Sequence, residues 1–187
     1  KGVVYFGNWD AMLVALDEKT GRDIWRFEAD SAIRSSPAIG EDTVYFGTNL
    51  GRFYALDAVT GEEKWSVSTG GSVRSSAAVT GGTVIFGSDD GWLYALDSET
   101  GEEKWKFNAM AAVWSSPAVA GGLVYFADRS GTLHALDIET ADEQWSFDTA
   151  RLNILDPSGP SAIMPSPVLS DGVLYFGGGD GLFYALK

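Results

Sequence analysis

The single histidine of the chain, His134, is the natural candidate for acid–base chemistry, because histidine is the side chain that titrates near neutral pH. It stands at a position where other parts of the chain carry tyrosine, namely Tyr54, Tyr94 and Tyr184. We therefore predict a packed replacement for tyrosine rather than a general base or a metal ligand. One isolated histidine gives no Ser-His-Asp or Cys-His arrangement, and the lack of cysteine excludes disulfides and thiolate metal sites.

The acidic run Asp89-Asp90-Gly91 is similar to the start of a calcium-binding loop. The later ligands of such a loop, ending in a glutamate at the twelfth position, do not follow it. An Asp-Gly pair is also a preferred centre of a tight β-hairpin. We therefore predict a hairpin turn and no metal site. The pairs Glu62-Glu63 and Glu102-Glu103 lie beside turns and are interpreted as solvated edges.

The elements that position these residues follow from an internal repeat of 40 residues. An Ala-Leu-Asp triplet marks each copy, at 15–17, 55–57, 95–97 and 135–137, and a fifth copy, 185–187, ends in lysine and comes 50 residues after the fourth. Tryptophan recurs at 25, 65, 105 and 145, and a Thr-Gly pair at 20–21, 60–61 and 100–101, with Thr140-Ala141 in the fourth copy. Such a period indicates an array of identical structural units. Because Ala141 replaces glycine, we expect the fourth turn to differ.

Each unit is predicted to form four short strands. In the third copy these are 75–79, 83–87, 92–97 and 103–107. Val84, Ile85 and Phe86 are consecutive apolar residues, so both faces of the sheet must be covered. Radially stacked four-stranded sheets meet that demand, and the period of about 40 residues is typical of propellers. We therefore predict an all-β chain, a β-propeller of four-stranded antiparallel blades, rather than a solenoid with helices.

This register also divides the chain. It comprises a partial blade 1–29, whole blades 30–69, 70–109 and 110–149, a loop insertion 151–164 and a partial blade 165–187. The chain opens at the second strand of one blade and closes at the third strand of another. We expect it to be an incomplete part of a larger propeller, in which an N-terminal segment supplies the missing strand. Alternatively, two copies form a homodimer through their open propeller edges, since unpaired edges favour association.

The pattern Ala-x-Asp-x-x-Thr-Gly-x-x-x-Trp at 15–25, 55–65 and 95–105 resembles the tryptophan-docking repeat of the PQQ-like (pyrroloquinoline-quinone-like) β-propeller family. That family includes quinoprotein alcohol dehydrogenases and outer-membrane assembly lipoprotein propellers. The resemblance covers essentially the whole chain and implies that each tryptophan docks over the Thr-Gly turn of an adjacent blade. The aspartate of each triplet is expected to accept hydrogen bonds from its turn. Such a resemblance specifies the fold, whereas function depends on sites.

Departures from the repeat are the best candidates for a binding site. The residue just before the Ser-Ser-Pro segment varies, as Arg34, Arg74, Trp114 and Met164. Equivalent positions of a propeller lie on one rim near the axis, and arginine and tryptophan are frequent hot-spot residues. On a chain of net charge -13 these residues predict a surface for an acidic or aromatic partner. Alternatively, the arginines pair with local carboxylates or fill the axis. Trp9, in the first hairpin, is a further candidate contact residue.

The loop insertion 151–164 adds ten residues between the fourth tryptophan and the next Ser-Pro. It is expected to reach the same rim as Arg34 and Arg74. Loops added to a rigid scaffold often carry function. A tolerated insertion without a role is the alternative.

The favoured function is a non-enzymatic scaffold for protein–protein or ligand binding, with a protein or peptide as the expected partner and without a cofactor. The net charge of -13 repels nucleic acid and anionic lipid, and no apolar run is long enough for direct membrane insertion. The resemblance to the assembly lipoproteins implies an extracytoplasmic location, periplasmic or secreted. It also leaves two alternatives, a PQQ-dependent dehydrogenase and the sensor domain of a larger signalling protein. The family's enzymes use calcium ligands, a catalytic aspartate and an adjacent-cysteine disulfide, and no residue here matches them.

Overall fold

A computed structural model describes residues 2–149, 166–178 and 181–187. Within these ranges the strands form five antiparallel sheets, of which the first and last have three strands and the others four. This confirms the predicted all-β fold of four-stranded antiparallel blades. None of the described segments forms a helix long and apolar enough to cross a membrane. In chain order the strands are β1 (Val3–Gly7), β2 (Met12–Asp17), β3 (Asp23–Glu28), β4 (Ala38–Gly40), β5 (Thr43–Gly47), β6 (Arg52–Asp57), β7 (Glu63–Ser68), β8 (Ala78–Thr80), β9 (Thr83–Gly87), β10 (Trp92–Asp97), β11 (Glu103–Asn108), β12 (Ala118–Ala120), β13 (Leu123–Ala127), β14 (Thr132–Asp137), β15 (Glu143–Asp148), β16 (Val168–Ser170), β17 (Val173–Gly177) and β18 (Phe183–Leu186).

The sheets stack as blades, numbered one to five along the chain. Their strands pair in sequence order, β1-β2-β3, β4-β5-β6-β7 and so on to β16-β17-β18. The first strands of successive blades contact each other, β4 with β8, β8 with β12 and β12 with β16. These first strands therefore lie innermost, and the tryptophan strands β3, β7, β11 and β15 lie outermost.

One side of the array carries both the hairpins between second and third strands and the loops that lead to the next blade. The Thr69 N–H donates to the Gly51 carbonyl (2.7 Å), and the Val73 N–H donates to the Thr48 carbonyl (2.9 Å). These bonds fix each loop against the hairpin of the preceding strands. We call this side the loop face; it comprises residues 8–11, 29–36, 48–51, 69–76, 88–91, 109–116 and 128–131.

The innermost strands begin later than predicted. In the third blade the strand is Ala78–Thr80, whereas the sequence pattern predicted 75–79. In the second and fourth blades, serine side chains replace the strand ladder just upstream of the innermost strand. In the fourth blade, Ser115 Oγ donates to the Ala127 carbonyl (2.9 Å) and accepts from the Ala127 N–H (2.8 Å).

The second serine of each Ser-Ser pair links neighbouring blades. The Ser36 N–H donates to Ser76 Oγ (2.8 Å), the Ser76 N–H to Ser116 Oγ (3.0 Å), and the Ser116 N–H to Ser166 Oγ (2.9 Å). The two serines thus secure a blade to itself and to the next one. The residues immediately before these pairs consequently follow one arc around the axis.

The hydrophobic core lies between the blades, as the apolar second strand predicted. Val84, Ile85 and Phe86 are all buried. Val84 and Phe86 pack in a cluster with Phe53 of the second blade, while Ile85 packs in a cluster with Phe126 of the fourth blade. Both faces of the third sheet are therefore covered by its neighbours.

Three tryptophans of the repeat, Trp25, Trp65 and Trp105, dock on the next blade, whereas Trp145 is 37% exposed. Trp65 Nε1 donates to the Ser98 carbonyl (3.2 Å), and a Cβ built at Gly101 would lie 2.7 Å from the Trp65 ring. A β-bulge between Ala55 and Leu56, opposite this strand, shifts the register next to Trp65. Bulges of this kind re-aim side chains. Trp25 and Trp105 dock in the same way, on the carbonyls of Ala58 and Ile138.

The fourth turn keeps the geometry of the others although alanine replaces glycine. The Ala141 N–H donates to the Asp137 carbonyl (3.0 Å), and Asp137 Oδ1 accepts from the Thr140 N–H (3.0 Å). The hydrogen bonds from the Thr140 and Glu139 N–H groups lower the pKa of the Asp137 carboxyl. Ala141 adopts a φ of 61°, in the left-handed region. The expected difference in the turn is thus confined to backbone strain.

Exchanging the residues of these two turns is expected to change stability in opposite directions. Gly101→Ala should lower the free energy of unfolding by about 1–2 kcal/mol, because alanine is strained at a φ of 75° and displaces Trp65. Ala141→Gly should raise the free energy of unfolding by about 0.5 kcal/mol. The relief of backbone strain in the folded chain exceeds the loss caused by the greater conformational freedom of the unfolded chain. Urea unfolding followed by tryptophan fluorescence measures both.

The control for this pair is Gly21→Ala. Gly21 has a φ of 66°, but nothing lies within 4 Å of its added Cβ. This variant therefore reports the backbone strain without the tryptophan contact. Equal losses for Gly21→Ala and Gly101→Ala would contradict the docking contribution.

Candidate partner-binding site on the loop face

The structure brings Arg34 and Trp9 together. The Arg34 guanidinium carbon lies 4.2 Å from the centre of the Trp9 ring, which is the distance of a cation–π contact. Trp9 belongs to the first hairpin, and Arg34 to the loop that enters the second blade. Both side chains are exposed, and 69% of Trp9 is accessible to solvent. An indole this open to water is available to a partner.

Arg74 and Trp114 meet in a second cluster, further along the arc. The Arg74 guanidinium carbon lies 4.9 Å from the Trp114 ring centre. Trp114 Nε1 donates a hydrogen bond to Asp89, and Arg74 Nε lies 3.2 Å from Asp89 Oδ2. The angle at Nε does not suit a hydrogen bond, so this last contact is a charge pair. Asp89 therefore neutralises Arg74 and holds the Trp114 indole in place, as the alternative of local carboxylate pairing anticipated.

A third arginine completes this cluster. The Arg129 guanidinium carbon lies 4.1 Å from the Trp114 ring centre. Its position in the fourth hairpin corresponds to Trp9 and Asp89 in the first and third hairpins. Arg129 was not predicted from the sequence, because Trp9 was the only hairpin-tip residue that was singled out as a candidate. The signal was present, since this tip position changes residue type in every blade.

These contacts interleave hairpin tips with the following loops. Trp9 contacts Arg34, and Asp89 contacts Trp114, each pair 25 positions apart. Arg129 also contacts Trp114, which precedes it by 15 positions. The site consequently consists of two clusters on one face, one across the first and second blades and one across the third and fourth. Met164 and the insertion 151–164 lie outside the described residues.

His134 is buried and packs as a tyrosine replacement. Its ring stacks on Phe126 at 4.8 Å and 15°, much as Tyr94 stacks on Phe86 at 5.5 Å and 15°. Unlike a tyrosine, it lies between two carboxylates. His134 Nε2 is 3.2 Å from Asp128 Oδ2, and Nδ1 is 2.7 Å from Glu143 Oε1.

This geometry favours the doubly protonated ring, because ionised carboxylates only accept hydrogen bonds. Burial opposes the charge, but the hydrogen bonds and charges of Asp128 and Glu143 outweigh it and raise the pKa of His134. Burial likewise opposes ionisation of Asp128, yet its bonds from His134 and Ser130 lower the pKa of that carboxyl. The protonated ring of His134 therefore joins the carboxylates of Asp128 and Glu143, which is a structural role.

The acidic run of the third hairpin forms the predicted turn. Gly91 has a φ of 89°, and Asp90 Oδ2 accepts from the Gly70 N–H and the Tyr94 hydroxyl, both at 2.7 Å. Asp89 is engaged at the Trp114 cluster. Nowhere in the described ranges are three or more His, Asp or Glu side chains grouped to hold a metal ion.

Stacked four-stranded blades with inner serines and docked tryptophans define a β-propeller of PQQ-like repeats. A family model described as "Outer membrane protein assembly factor BamB" matches residues 1–88 and 67–187, and so the whole chain. The chain belongs to this PQQ-like/BamB repeat family. No curated protein sequence matches it.

Solved structures agree with this assignment. BamB from Moraxella catarrhalis superimposes with a TM-score of 0.81 at 25% identity, over 98% of this chain and 57% of its own. The computationally designed protein Ika8 gives 0.84 at 20% identity, over 99% and 55%. Quinohemoprotein alcohol dehydrogenase from Comamonas testosteroni gives 0.81 at 20% identity, over 100% and 40%. The chain thus spans about half the length of these three structures, and the two likenesses at 20% identity concern the fold alone.

Proposed function

We propose that the chain is a non-enzymatic β-propeller scaffold that binds a protein or peptide partner through its loop face. The observation that carries this proposal is the Trp114 cluster, in which Arg74, Asp89 and Arg129 surround one indole. Arginine and tryptophan contribute most to protein interfaces when neighbouring groups already hold them in place. The pair of Arg34 and Trp9 extends the same surface. Equivalent positions elsewhere on the array have no such combination among the described residues.

The family supports a finer proposal. Its description names an outer membrane protein assembly factor, which favours an extracytoplasmic location, periplasmic or secreted, and a partner within outer-membrane assembly. The net charge of -13 argues against nucleic acid as that partner. The scaffold function needs no cofactor.

Peptide selection tests the scaffold proposal without assuming a partner. A random peptide library displayed on phage is selected on the folded chain, and each enriched peptide is then titrated against the variant Arg34→Glu/Arg74→Glu. We expect peptides that bind the wild type and lose affinity at least about tenfold on the variant, as at hot spots. Equal binding to both proteins by all enriched peptides would place recognition elsewhere. Urea unfolding of the variant checks that it is folded.

A further inference from the structure

Two more side chains of the loop face are apolar and exposed. Leu50 has 73% of its surface accessible and Met110 has 86%. Their equivalents in the other copies are polar or small: Asp10, Asp90 and Ser130 for Leu50, and Asp30 and Gly70 for Met110. The four copies of the repeat thus serve as an internal comparison. Together with Trp9, these residues make three apolar departures on one side of the molecule.

Met110 also occupies a costly conformation. Its φ is 65°, in the left-handed region, where a non-glycine residue is strained. The backbone there is held by a hydrogen bond from the Met110 N–H to Asn108 Oδ1 (2.9 Å). A long apolar side chain at this position is exposed and gains no packing within the blade. We therefore expect the Met110 side chain to contact a partner rather than to stabilise the fold.

The arginines of the loop face differ in whether they are free to pair with a carboxylate of a partner. Arg74 is paired with Asp89, whereas Arg34 and Arg129 contact no carboxylate within the described ranges. Each of these two guanidinium groups lies over an indole ring. A guanidinium presents paired N–H donors that match both oxygens of a carboxylate.

The positions of the aspartates on the loop face make Arg129 a better receptor for a partner's carboxylate than Arg34. They are Asp10, Asp30, Asp89, Asp90 and Asp128. Asp89 and Asp128 are neutralised by Arg74 and His134. Asp90 accepts hydrogen bonds from the Gly70 and Trp92 N–H groups and the Tyr94 hydroxyl. Asp10 and Asp30 remain, at the end of the face that carries Arg34. Arg129 is consequently the stronger receptor for an added carboxylate.

We propose that the loop face binds an extended acidic segment of a partner protein that also carries apolar side chains. Carboxylates of the segment pair with Arg129 and Arg34, and its apolar side chains cover Met110, Leu50 and Trp9. Packed sheets lie about 10 Å apart, so four blades span roughly 30 Å, or about nine extended residues at ~3.3 Å each. This inference rests on the proposed scaffold function and names the chemistry of its partner.

Defined peptides test this chemistry. Three labelled peptides of about twelve residues are titrated by fluorescence anisotropy: glutamate alternating with leucine, glutamate with serine, and lysine with leucine. We expect the glutamate–leucine peptide to bind at least about tenfold more tightly than either control, since each control removes one of the two required interactions. Added salt should weaken this binding.

Variants then locate the binding. Arg129→Ala and Leu50→Ser/Met110→Ser should each weaken the glutamate–leucine peptide by about tenfold, and Arg129→Lys should restore only part of the loss because lysine lacks the planar fork. Arg26→Ala, an exposed arginine on the outer strand β3, is the matched control and should leave binding unchanged. The substituted side chains are exposed, so folding should be retained, as urea unfolding would check.

Several results would overturn the inference. They are equal affinity for the glutamate–leucine and glutamate–serine peptides, tighter binding of the lysine peptide, or no effect of Arg129→Ala. Library peptides that bind the loop face but are neutral or basic would contradict this inference and leave the scaffold function intact. Enriched peptides that bind only elsewhere would contradict the scaffold function itself.

Discussion

Phe86→Ala is expected to lower the free energy of unfolding by about 3–5 kcal/mol. Phe86 is fully buried and stacks on Phe53 of the second blade, with ring centres 3.7 Å apart and planes 8° from parallel. It also stacks on Tyr94 of its own blade. Removing its ring leaves a cavity between two rigid sheets, which have little freedom to collapse. In an array where each blade contacts only its neighbours, such an interface carries much of the stability.

The matched control is Phe183→Ala, in the fifth blade. Phe183 occupies the repeat position of Phe53 and Leu133, but 74% of its surface is exposed. The same chemical change should therefore cost less than about 1 kcal/mol. Urea unfolding monitored by both tryptophan fluorescence and circular dichroism gives the two values. Similar losses for the two variants would contradict an inter-blade core as the main source of stability.

The repeat explains why so much of the fold followed from the sequence. The consecutive apolar residues of the second strand required two covered faces, and the markers Asp97, Thr100 and Gly101 located the turn that Trp65 docks on. In the second and fourth blades the innermost strand begins late because a side-chain hydrogen bond, such as that of Ser115 to Ala127, replaces a ladder bond. Strand propensity carries no information about that exchange.

The candidate site was predictable by position but not by pairing. Departures from the repeat identified Arg34, Arg74, Trp114 and Trp9, and these do lie on one face. Their partners come from hairpins of other blades, so the contacts depend on how loops interleave around the axis. Arg129 is a case in point, because only the structure places it on Trp114. Asp89, interpreted from sequence as part of a turn, in addition neutralises Arg74.

His134→Tyr is expected to lower the free energy of unfolding by about 3 kcal/mol, although tyrosine is the usual residue of the repeat. The substitution removes the cation next to Asp128, whose carboxyl is buried and 2% exposed. Asp128 Oδ1 keeps its bonds from Ser130 and Thr132, so the loss falls at the lower end for a broken buried pair. Oδ2 is left in the core without its partner.

Asp128→Ser in the same chain is expected to recover most of this loss. The third blade already combines Ser88 with Tyr94, so the double variant His134→Tyr/Asp128→Ser places the same two residue types in the fourth blade, with Ser130 at the position of Asp90. Its stability should return to within about 1 kcal/mol of the wild type, since no buried charge remains. A double variant no more stable than His134→Tyr alone would contradict the role given to Asp128.

The difference in unfolding free energy between the wild type and the double variant, measured as a function of pH, isolates the contribution of the charged cluster. The raised pKa of His134 stabilises the fold fully below about pH 6.5, the unfolded value, and this contribution is lost as the pH rises through the folded pKa. The lowered pKa of Asp128 stabilises the fold above about pH 4, and that contribution is lost as the pH falls through its folded value. The stability difference, measured by urea unfolding across this range, should therefore be largest between about pH 4 and 6.5 and decline on both sides. A difference that stays level or rises above neutral pH would show that the His134 ring is neutral in the fold, and the two carboxylates would then need another explanation.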